Sequence, residues 1–200
     1  YATKELNRST PLELSSFEDF CLDYYPLTDN KGENPRTEMT FVLNNCRRYG
    51  ENFSTDSPSL YFYGRTGLGK THLSLAIANE AIKKGYNVVY GSVITLINKM
   101  EKEKFGKTEA QTDTESLLTD ADLLIIDDLG AEFSTSFTIS AIYNILNSRI
   151  ARGVPTIISS NLSISELKQR YPESIVSRII GSYTLVEFMG KDIRQITNEG

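Results

Sequence analysis

The chain has 200 residues, of which 40% are hydrophobic, and its formal net charge at pH 7 is −5. This composition predicts one domain with a sizeable core, and the negative charge argues against a surface that coats duplex DNA non-specifically. The two cysteines, Cys21 and Cys46, form no CxxC pair, so neither a disulfide framework nor a zinc site is predicted. No apolar run reaches the ~18 residues that span a bilayer, and we expect a soluble, cytoplasmic protein.

The first 57 residues have a less regular pattern than the rest of the chain. Apolar residues at core-like spacing predict a helix over Glu38–Arg48. We expect residues 1–57 to form an N-terminal extension that packs on a core of residues 58–200. Because the chain opens with Tyr1 rather than Met, we also expect it to be one domain excised from a longer protein.

A glycine-rich segment follows the first predicted strand, Ser59–Tyr63. Residues 64–71 read GRTGLGKT, a full match to the phosphate-loop pattern GxxxxGK[ST], and a helix is predicted from Lys70 to Lys84. A strand before the loop and a helix after it form the context that the pattern requires; the alternative is a chance glycine-rich turn. The predicted ATP-binding residues are Gly64, Arg65, Thr66, Gly67, Leu68, Gly69, Lys70, Thr71 and His72.

Each residue type in this loop has a physical reason to be there. Glycines let the backbone bend until successive N–H groups point at the β-phosphate, and the start of the helix adds a favourable dipole. We predict that Lys70 supplies a charge for the β- and γ-phosphates, and that the Thr71 hydroxyl is a ligand for Mg²⁺. His72 is predicted to be a structural or phosphate-proximal residue and not a metal ligand.

Short apolar runs and helical patterns alternate beyond this loop. The further predicted strands are Asn87–Gly91, Leu123–Asp127, Thr156–Ser160 and Thr184–Phe188. The predicted helices are Thr138–Ala151, one from the capping box at Ser163 to Tyr171, and Glu173–Ile180, which stops at Gly181. The polar stretch Lys107–Glu115 is predicted to be a loop. This order predicts a doubly wound, parallel, five-stranded α/β sheet flanked by helices.

Two carboxylates, Asp127 and Asp128, stand at the end of the most apolar strand. In a phosphate-loop fold this strand end lies beside the loop, so we predict that Asp127 holds Mg²⁺ through its waters. Asp128 is predicted to orient or deprotonate the attacking water, and Glu132 is a second candidate for that role. An acidic turn after a buried strand is the alternative. Asp128 is one methylene shorter than the Glu of many related ATPases, which predicts slow hydrolysis.

Three further side chains could complete the site. Asn161 ends the next strand, where its amide could hydrogen-bond both the γ-phosphate and the water, although asparagine is also common at strand-to-loop turns. Arg178 is either paired with a carboxylate at the edge of the core or a finger that reaches a neighbouring subunit's γ-phosphate. Arg194 could touch the nucleotide of its own subunit; an exposed salt bridge is the alternative for both arginines.

These motifs together resemble the initiator branch of the AAA+ ATPases, in particular the bacterial replicative helicase loaders of the DnaC/DnaI group. The resemblance implies a Walker A motif at Gly64–Thr71, a Walker B motif at Asp127 and Asp128, and a sensor at Asn161. It also implies that Arg178 acts in trans, which means self-association, and that Arg194 is a second sensor. So little chain follows the last strand that the helical lid typical of AAA+ proteins is expected to be absent. The segments that carry the resemblance are 16–20, 64–71, 123–132, 159–161, 177–178 and 190–194.

The resemblance also implies an extra helix that lines a channel for single-stranded DNA. The matching region holds Lys99, Lys102, Lys104 and Phe105, where lysines and an aromatic ring would suit a nucleic-acid strand. Interleaved glutamates make a solvated amphipathic helix an equal alternative.

The predicted function is an ATPase that uses ATP/ADP and Mg²⁺ to load a replicative hexameric helicase onto single-stranded DNA. One alternative is a transposition helper ATPase of an insertion sequence, and another is a nucleotide-switched binding module with negligible turnover. A small-molecule kinase is disfavoured because no arginine-bearing lid or acceptor pocket is evident.

Overall fold

The computed structural model describes residues 14–28, 32, 34–106 and 113–192. The strands are β1 (Ser59–Tyr63), β2 (Val88–Ser92), β3 (Leu123–Leu129), β4 (Thr156–Ser160) and β5 (Tyr183–Glu187). The helices are α1 (Pro35–Glu51), α2 (Lys70–Lys83), α3 (Val93–Lys104), α4 (Thr114–Asp120), α5 (Ser136–Arg152), α6 (Ile164–Arg170) and α7 (Glu173–Ser182).

The five strands form one sheet in the order β2-β3-β4-β1-β5, and every pairing is parallel. Alternate residues of the strands contribute to two separate hydrophobic cores, one on each face of the sheet. Helices α1 and α2 and the segment around Phe17 cover one face, whereas α3 to α7 cover the other. The predicted doubly wound, parallel α/β fold is therefore confirmed.

Local signals in the sequence place several helix ends. The capping box predicted at Ser163 is present: its backbone N–H donates to Glu166 Oε2 at 2.7 Å, and the Glu166 N–H donates back to Ser163 Oγ at 3.3 Å. Asn34 caps α1 by accepting the Thr37 N–H at 3.0 Å. Gly153 ends α5 in the left-handed conformation, with φ 69°.

Other boundaries differ from the predictions. Helix α7 does not stop at Gly181 but runs on through Ser182 and passes directly into β5, because the next residue, Tyr183, is already buried as the first residue of that strand. The predicted loop Lys107–Glu115 is wrong at its end, since Asp113 caps α4 and the helix begins at Thr114. Strand β3 continues two residues beyond its predicted end, through a register irregularity against β4 between Ile126 and Leu129.

No helix follows β5 in residues 188–192, the last ones that the structure describes. None of the described helices is long and apolar enough to cross a membrane. The carboxyl ends of β1, β3 and β4 lie next to one another in the sheet, and the glycine-rich loop, Asp127, Asp128 and Asn161 stand at this edge.

Candidate nucleotide site

The glycine-rich loop connects β1 to α2 and adopts a backbone that requires glycine. Gly67 and Gly69 have φ values of 73° and 84°, in the left-handed region. A Cβ on Gly69 would lie 2.5 Å from Phe20 Cε2, and one on Gly67 would lie 1.7 Å from Asp192 Oδ1. Gly69 is also the N-cap of α2, so the loop ends at a helix N-terminus, where backbone N–H groups favour a phosphate.

Lys70 is 5% exposed and folds back over the loop. Its Nζ donates to the carbonyl oxygens of Gly64 and Arg65, both at 2.7 Å. The ammonium group is thus held at the loop itself, where a phosphate oxygen can replace a carbonyl as its partner.

Thr71 and Asp127 come together as the sequence predicts. Thr71 Oγ1 donates to Asp127 Oδ2 at 2.9 Å and is 3.1 Å from Oδ1, which joins the start of α2 to the end of β3. A hydroxyl and a carboxylate are hard oxygen ligands of the kind that Mg²⁺ prefers. No cluster of three or more His, Cys, Asp or Glu that could hold a metal ion occurs among the described residues. The pair therefore suits Mg²⁺, which takes few protein ligands and completes its shell with water and phosphate oxygens.

Two further hydroxyl groups contact Asp127, and the sequence analysis missed both. Tyr90, on β2, donates from its hydroxyl to Asp127 Oδ2 at 2.9 Å, and the Ser159 hydroxyl on β4 donates to Oδ1. Burial, together with the nearby Asp127 carboxylate, raises the pKa of Tyr90 above its usual range, so this hydroxyl keeps its proton. The signal in the sequence that could have revealed these two residues is a polar side chain near the carboxyl end of each strand that flanks β3.

Asp128 lines a cavity that lies over the glycine-rich loop, because the backbone of β3 is irregular at this residue. In a regular strand, consecutive side chains point to opposite faces of the sheet. Asp128 instead has φ 58°, and its N–H donates to Ser159 Oγ at 3.0 Å. Asn161 at the end of β4 lies close by, with Nδ2 3.4 Å from Asp128 Oδ1. The structure therefore brings the predicted water-orienting carboxylate and the predicted sensor amide together.

A cavity of about 340 Å³ lies over the loop and includes Asp128 and Asn161 in its wall. The loop residues that line it are Thr66, Gly67, Leu68, Gly69, Lys70, Thr71 and His72. Gly64 and Arg65 line a neighbouring cavity of about 670 Å³, which also reaches Leu68 and Asn161. The predicted phosphate-loop residues thus divide between two adjoining spaces at one sheet edge.

Residues before α1 form the opposite wall of the smaller cavity. Tyr25 is fully buried and donates its hydroxyl to the Leu68 carbonyl at 2.9 Å, and its ring stacks on Phe20 with centroids 5.7 Å apart. His72 Nε2 lies 2.7 Å from the Ser16 carbonyl oxygen, and its ring meets Phe20 edge-on. Phe20, Tyr25 and His72 thus form an aromatic cluster that borders the cavity over the loop.

Glu132, the second candidate for orienting water, is occupied elsewhere. Its carboxylate is 5% exposed and accepts hydrogen bonds from the Tyr171 hydroxyl and from the Gly130 N–H at 2.9 Å. It therefore fixes the turn after β3 against the end of α6, and we do not assign it a role in the chemistry.

Arg178 is positioned on α7 by neutral groups of α5 and α7. Its guanidinium donates to Tyr143 Oη at 2.8 Å, to Asn147 Oδ1 at 2.9 and 3.1 Å, and to the Ser174 carbonyl at 2.7 Å. Its Cζ also lies 4.3 Å from the centroid of the Tyr143 ring. The salt bridges found among the described residues do not include Arg178. Arg194, the predicted second sensor, lies outside the described residues.

The region predicted to contact DNA forms the end of α3. Lys102, Lys104 and Phe105 are exposed, whereas Lys99 is half-buried. The Lys104 ammonium lies 5.1 Å from the centroid of the Phe137 ring on α5, and the Phe105 ring is 6.1 Å from the same ring. Glu103, one of the interleaved acids, is tied to the N–H of Thr114 at 2.9 Å and to its hydroxyl.

Comparison with known proteins identifies the family and supports the assignment of the fold. The profile of the IstB-like ATP binding protein family matches residues 49–196. The chain is 31% identical to the replicative helicase loader DnaC of Escherichia coli K12 over 153 residues, which cover 74% of the chain and 61% of that protein. It is 36% identical to the replicative helicase loader DnaI of Bacillus subtilis over 118 residues, or 58% of the chain and 37% of that protein.

A crystal structure of the DnaC helicase loader superimposes with a TM-score of 0.69 at 25% identity, covering 86% of this chain and 98% of that one. The five-stranded parallel fold is thus that of a helicase loader's AAA+ domain. The chain spans less than two thirds of the length of each of the two loader proteins that it matches in sequence.

Proposed function

The chain belongs to the IstB-like ATP-binding protein family, and we propose that it is the ATP-hydrolysing domain of a replicative helicase loader. The observation that carries the proposal is the meeting of four groups at one sheet edge: the loop lysine, the Thr71–Asp127 pair, the Asp128 carboxylate and the Asn161 amide. Such a set suits hydrolysis of a nucleoside triphosphate in a family that binds ATP. The names of the two relatives favour a loader over a transposition helper.

The proposed reaction assigns each step to a residue of this chain. The loop N–H groups bind the β-phosphate, and the Lys70 ammonium moves from its carbonyl partners to the β- and γ-phosphate oxygens. Thr71 and Asp127 would hold Mg²⁺, which neutralises charge on the phosphate oxygens. Asp128 accepts a hydrogen bond from a water, whose oxygen attacks the γ-phosphorus as the bond to the leaving ADP oxygen breaks.

Asn161 is proposed to couple the γ-phosphate to the catalytic carboxylate. Its Nδ2 can donate to Asp128, as in this structure, or to a γ-phosphate oxygen when ATP is bound. Loss of the γ-phosphate on hydrolysis would therefore change the partner of Asn161. A local switch of this kind is what a loader requires in order to hold its partner in one nucleotide state and to release it in the other.

Arg178 is proposed to complete the active site of a neighbouring copy. Its planar guanidinium is fixed by three hydrogen-bonding side-chain or backbone groups and an aromatic ring, and no carboxylate of the described residues forms a salt bridge with it. A prepositioned guanidinium is suited to a phosphate offered from outside the subunit. Self-association through this residue is therefore part of the proposal.

The end of α3 is proposed to contact single-stranded DNA. Lys102 and Lys104 can bind phosphates, and the exposed Phe105 ring can stack on a base. Changing both lysines to Ala should weaken binding of a single-stranded oligonucleotide in the ATP state. Changing Lys83 and Arg152 to Ala removes the same charge from other surfaces and should have a smaller effect; equal effects of the two pairs would contradict a site on α3.

The experiment that tests the loader function is co-purification of the full-length protein with the host's replicative helicase, with ATP and with ADP. We expect a complex in ATP that weakens in ADP, and we expect Lys70→Ala to remove this difference because it disables phosphate binding. Failure to bind the helicase, together with tight binding of a transposase, would favour the transposition helper instead.

A further inference from the structure

Asp127 is held by more hydrogen-bond donors than its proposed role as a metal-binding residue requires. Its carboxylate is 5% exposed and accepts from three hydroxyl groups, those of Thr71, Tyr90 and Ser159. They come from α2, β2 and β4, so three separate elements converge on one carboxylate. Phosphate binding by the loop involves only α2, so the contacts from β2 and β4 need a separate explanation.

The two oxygens of Asp127 are fixed independently. The Tyr90 hydroxyl lies 2.9 Å from Oδ2, and the Ser159 hydroxyl donates to Oδ1. An ionised carboxylate accepts at about four positions, so these two donors leave room for others. If the Thr71 oxygen becomes a ligand of Mg²⁺, its hydrogen can still point at Asp127, whereas Tyr90 and Ser159 hold the two ends of the carboxylate without taking part in metal binding themselves.

We infer that Tyr90 and Ser159 are positioning residues that orient Asp127 toward the Mg²⁺ of a bound nucleotide. The inference rests on the proposed function, because it concerns the metal that the nucleotide brings. Groups that hydrogen-bond a metal-binding carboxylate restrict its rotation and thereby raise the affinity for the metal. Ser159 also accepts the Asp128 N–H at 3.0 Å, so one hydroxyl fixes the side chain of the first carboxylate and the backbone of the second.

The test separates binding of the metal from binding of the nucleotide. A fluorescent ADP analogue is titrated into the protein in excess Mg²⁺ and again in EDTA. The Kd in EDTA divided by the Kd in Mg²⁺ is the ratio that measures what the metal contributes to binding. Tyr90→Phe keeps the ring and removes the hydroxyl, so we expect the wild-type ratio to fall by about tenfold. The Kd in EDTA and the thermal midpoint should stay at their wild-type values, because the ring packing is retained.

Tyr49→Phe is the matched control, since it removes a hydroxyl on α1 that donates to the Pro58 carbonyl at 2.8 Å, and neither residue lines the cavity over the loop. It should leave the ratio unchanged. Ser159→Ala should also lower the ratio, and it serves as an independent variant should Tyr90→Phe fold poorly. A wild-type ratio in both variants, or equal weakening with and without the metal, would overturn the positioning role. A wild-type protein whose Kd ignores Mg²⁺ would instead overturn the magnesium site of the proposed function.

Discussion

Asp128 carries the chemical step of the proposed reaction, and its environment makes a specific prediction. Asp128→Asn keeps the size of the side chain and removes the negative charge that would take the proton of the attacking water. We expect kcat for ATP hydrolysis to fall by at least about 100-fold. The Kd for ATP should remain near the wild-type value, because the loop and Thr71 are untouched. Phosphate release and nucleotide titration measure the two quantities, and a variant with wild-type turnover would remove Asp128 from the mechanism.

Gly69 offers a second test at the scale of a single residue. Both Gly69 and Gly85 have positive φ, 84° and 88°, but a Cβ on Gly85 would meet nothing within 4 Å. Alanine at either position should cost about 1 kcal/mol of unfolding free energy for the backbone alone. Only Gly69→Ala should also weaken nucleotide binding, because the new methyl group displaces Phe20 from the cavity wall. Nucleotide titration of the two variants measures the difference, and equal affinities would show that the close approach of Phe20 has no consequence for binding.

Helix α5 contributes a buried arginine whose role is structural. Arg149 is fully buried and donates to the carbonyls of Leu118, Ala121 and Pro155, at distances of 2.6 to 2.9 Å, as well as to Thr156 Oγ1. It therefore supplies donors to carbonyls at the end of α4 and in the residues that enter β3 and β4, of which the Pro155 carbonyl also accepts the Leu124 N–H at 3.4 Å.

Replacing this arginine should destabilise the fold. Arg149→Met removes the donors to the Leu118, Ala121 and Pro155 carbonyls, and we expect a loss of about 3 kcal/mol in unfolding free energy. Arg152→Met, one turn further along α5, removes only an exposed salt bridge with Asp120 and should cost less than about 1 kcal/mol. Urea denaturation of both variants measures the difference. Equal urea midpoints for the two variants would contradict a stabilising role for the contacts between Arg149 and these carbonyls.

The sequence predicts the elements better than it predicts the contacts between them. Strands β1 and β4 match their predicted bounds because each apolar run is flanked by turn or helix signals. Asp127, Asp128 and Asn161 could be placed together because the carboxyl ends of parallel strands share one edge. The roles of Tyr90, Ser159 and Arg149 could not be predicted, since they depend on the register of strands that are distant in sequence. The left-handed backbone of Asp128 likewise arises from pairing with β4 and leaves no local signal.

The whole molecule is proposed to act as an assembly of copies, which gives a kinetic prediction. If Arg178 completes the site of a neighbour, ATPase activity per molecule should rise with protein concentration, and Arg178→Ala should lower kcat by about 1,000-fold or more. Arg152→Ala removes a more exposed arginine, which is paired with Asp120 at the end of α5, and should leave the rate unchanged. Specific activity measured across a dilution series provides the comparison. Activity independent of concentration, with an active Arg178→Ala variant, would contradict action in trans.

The central claim is that nucleotide state in this domain controls loading of a ring-shaped helicase. The most direct measurement is retention of the host's hexameric helicase on a closed circle of single-stranded DNA, with the full-length protein present. Because a closed circle has no end to thread, the ring must be opened for loading. We predict that retention requires ATP and is lost in Lys70→Ala, whereas Arg152→Ala behaves as wild type. Equal retention without ATP, or with Lys70→Ala, would contradict the account.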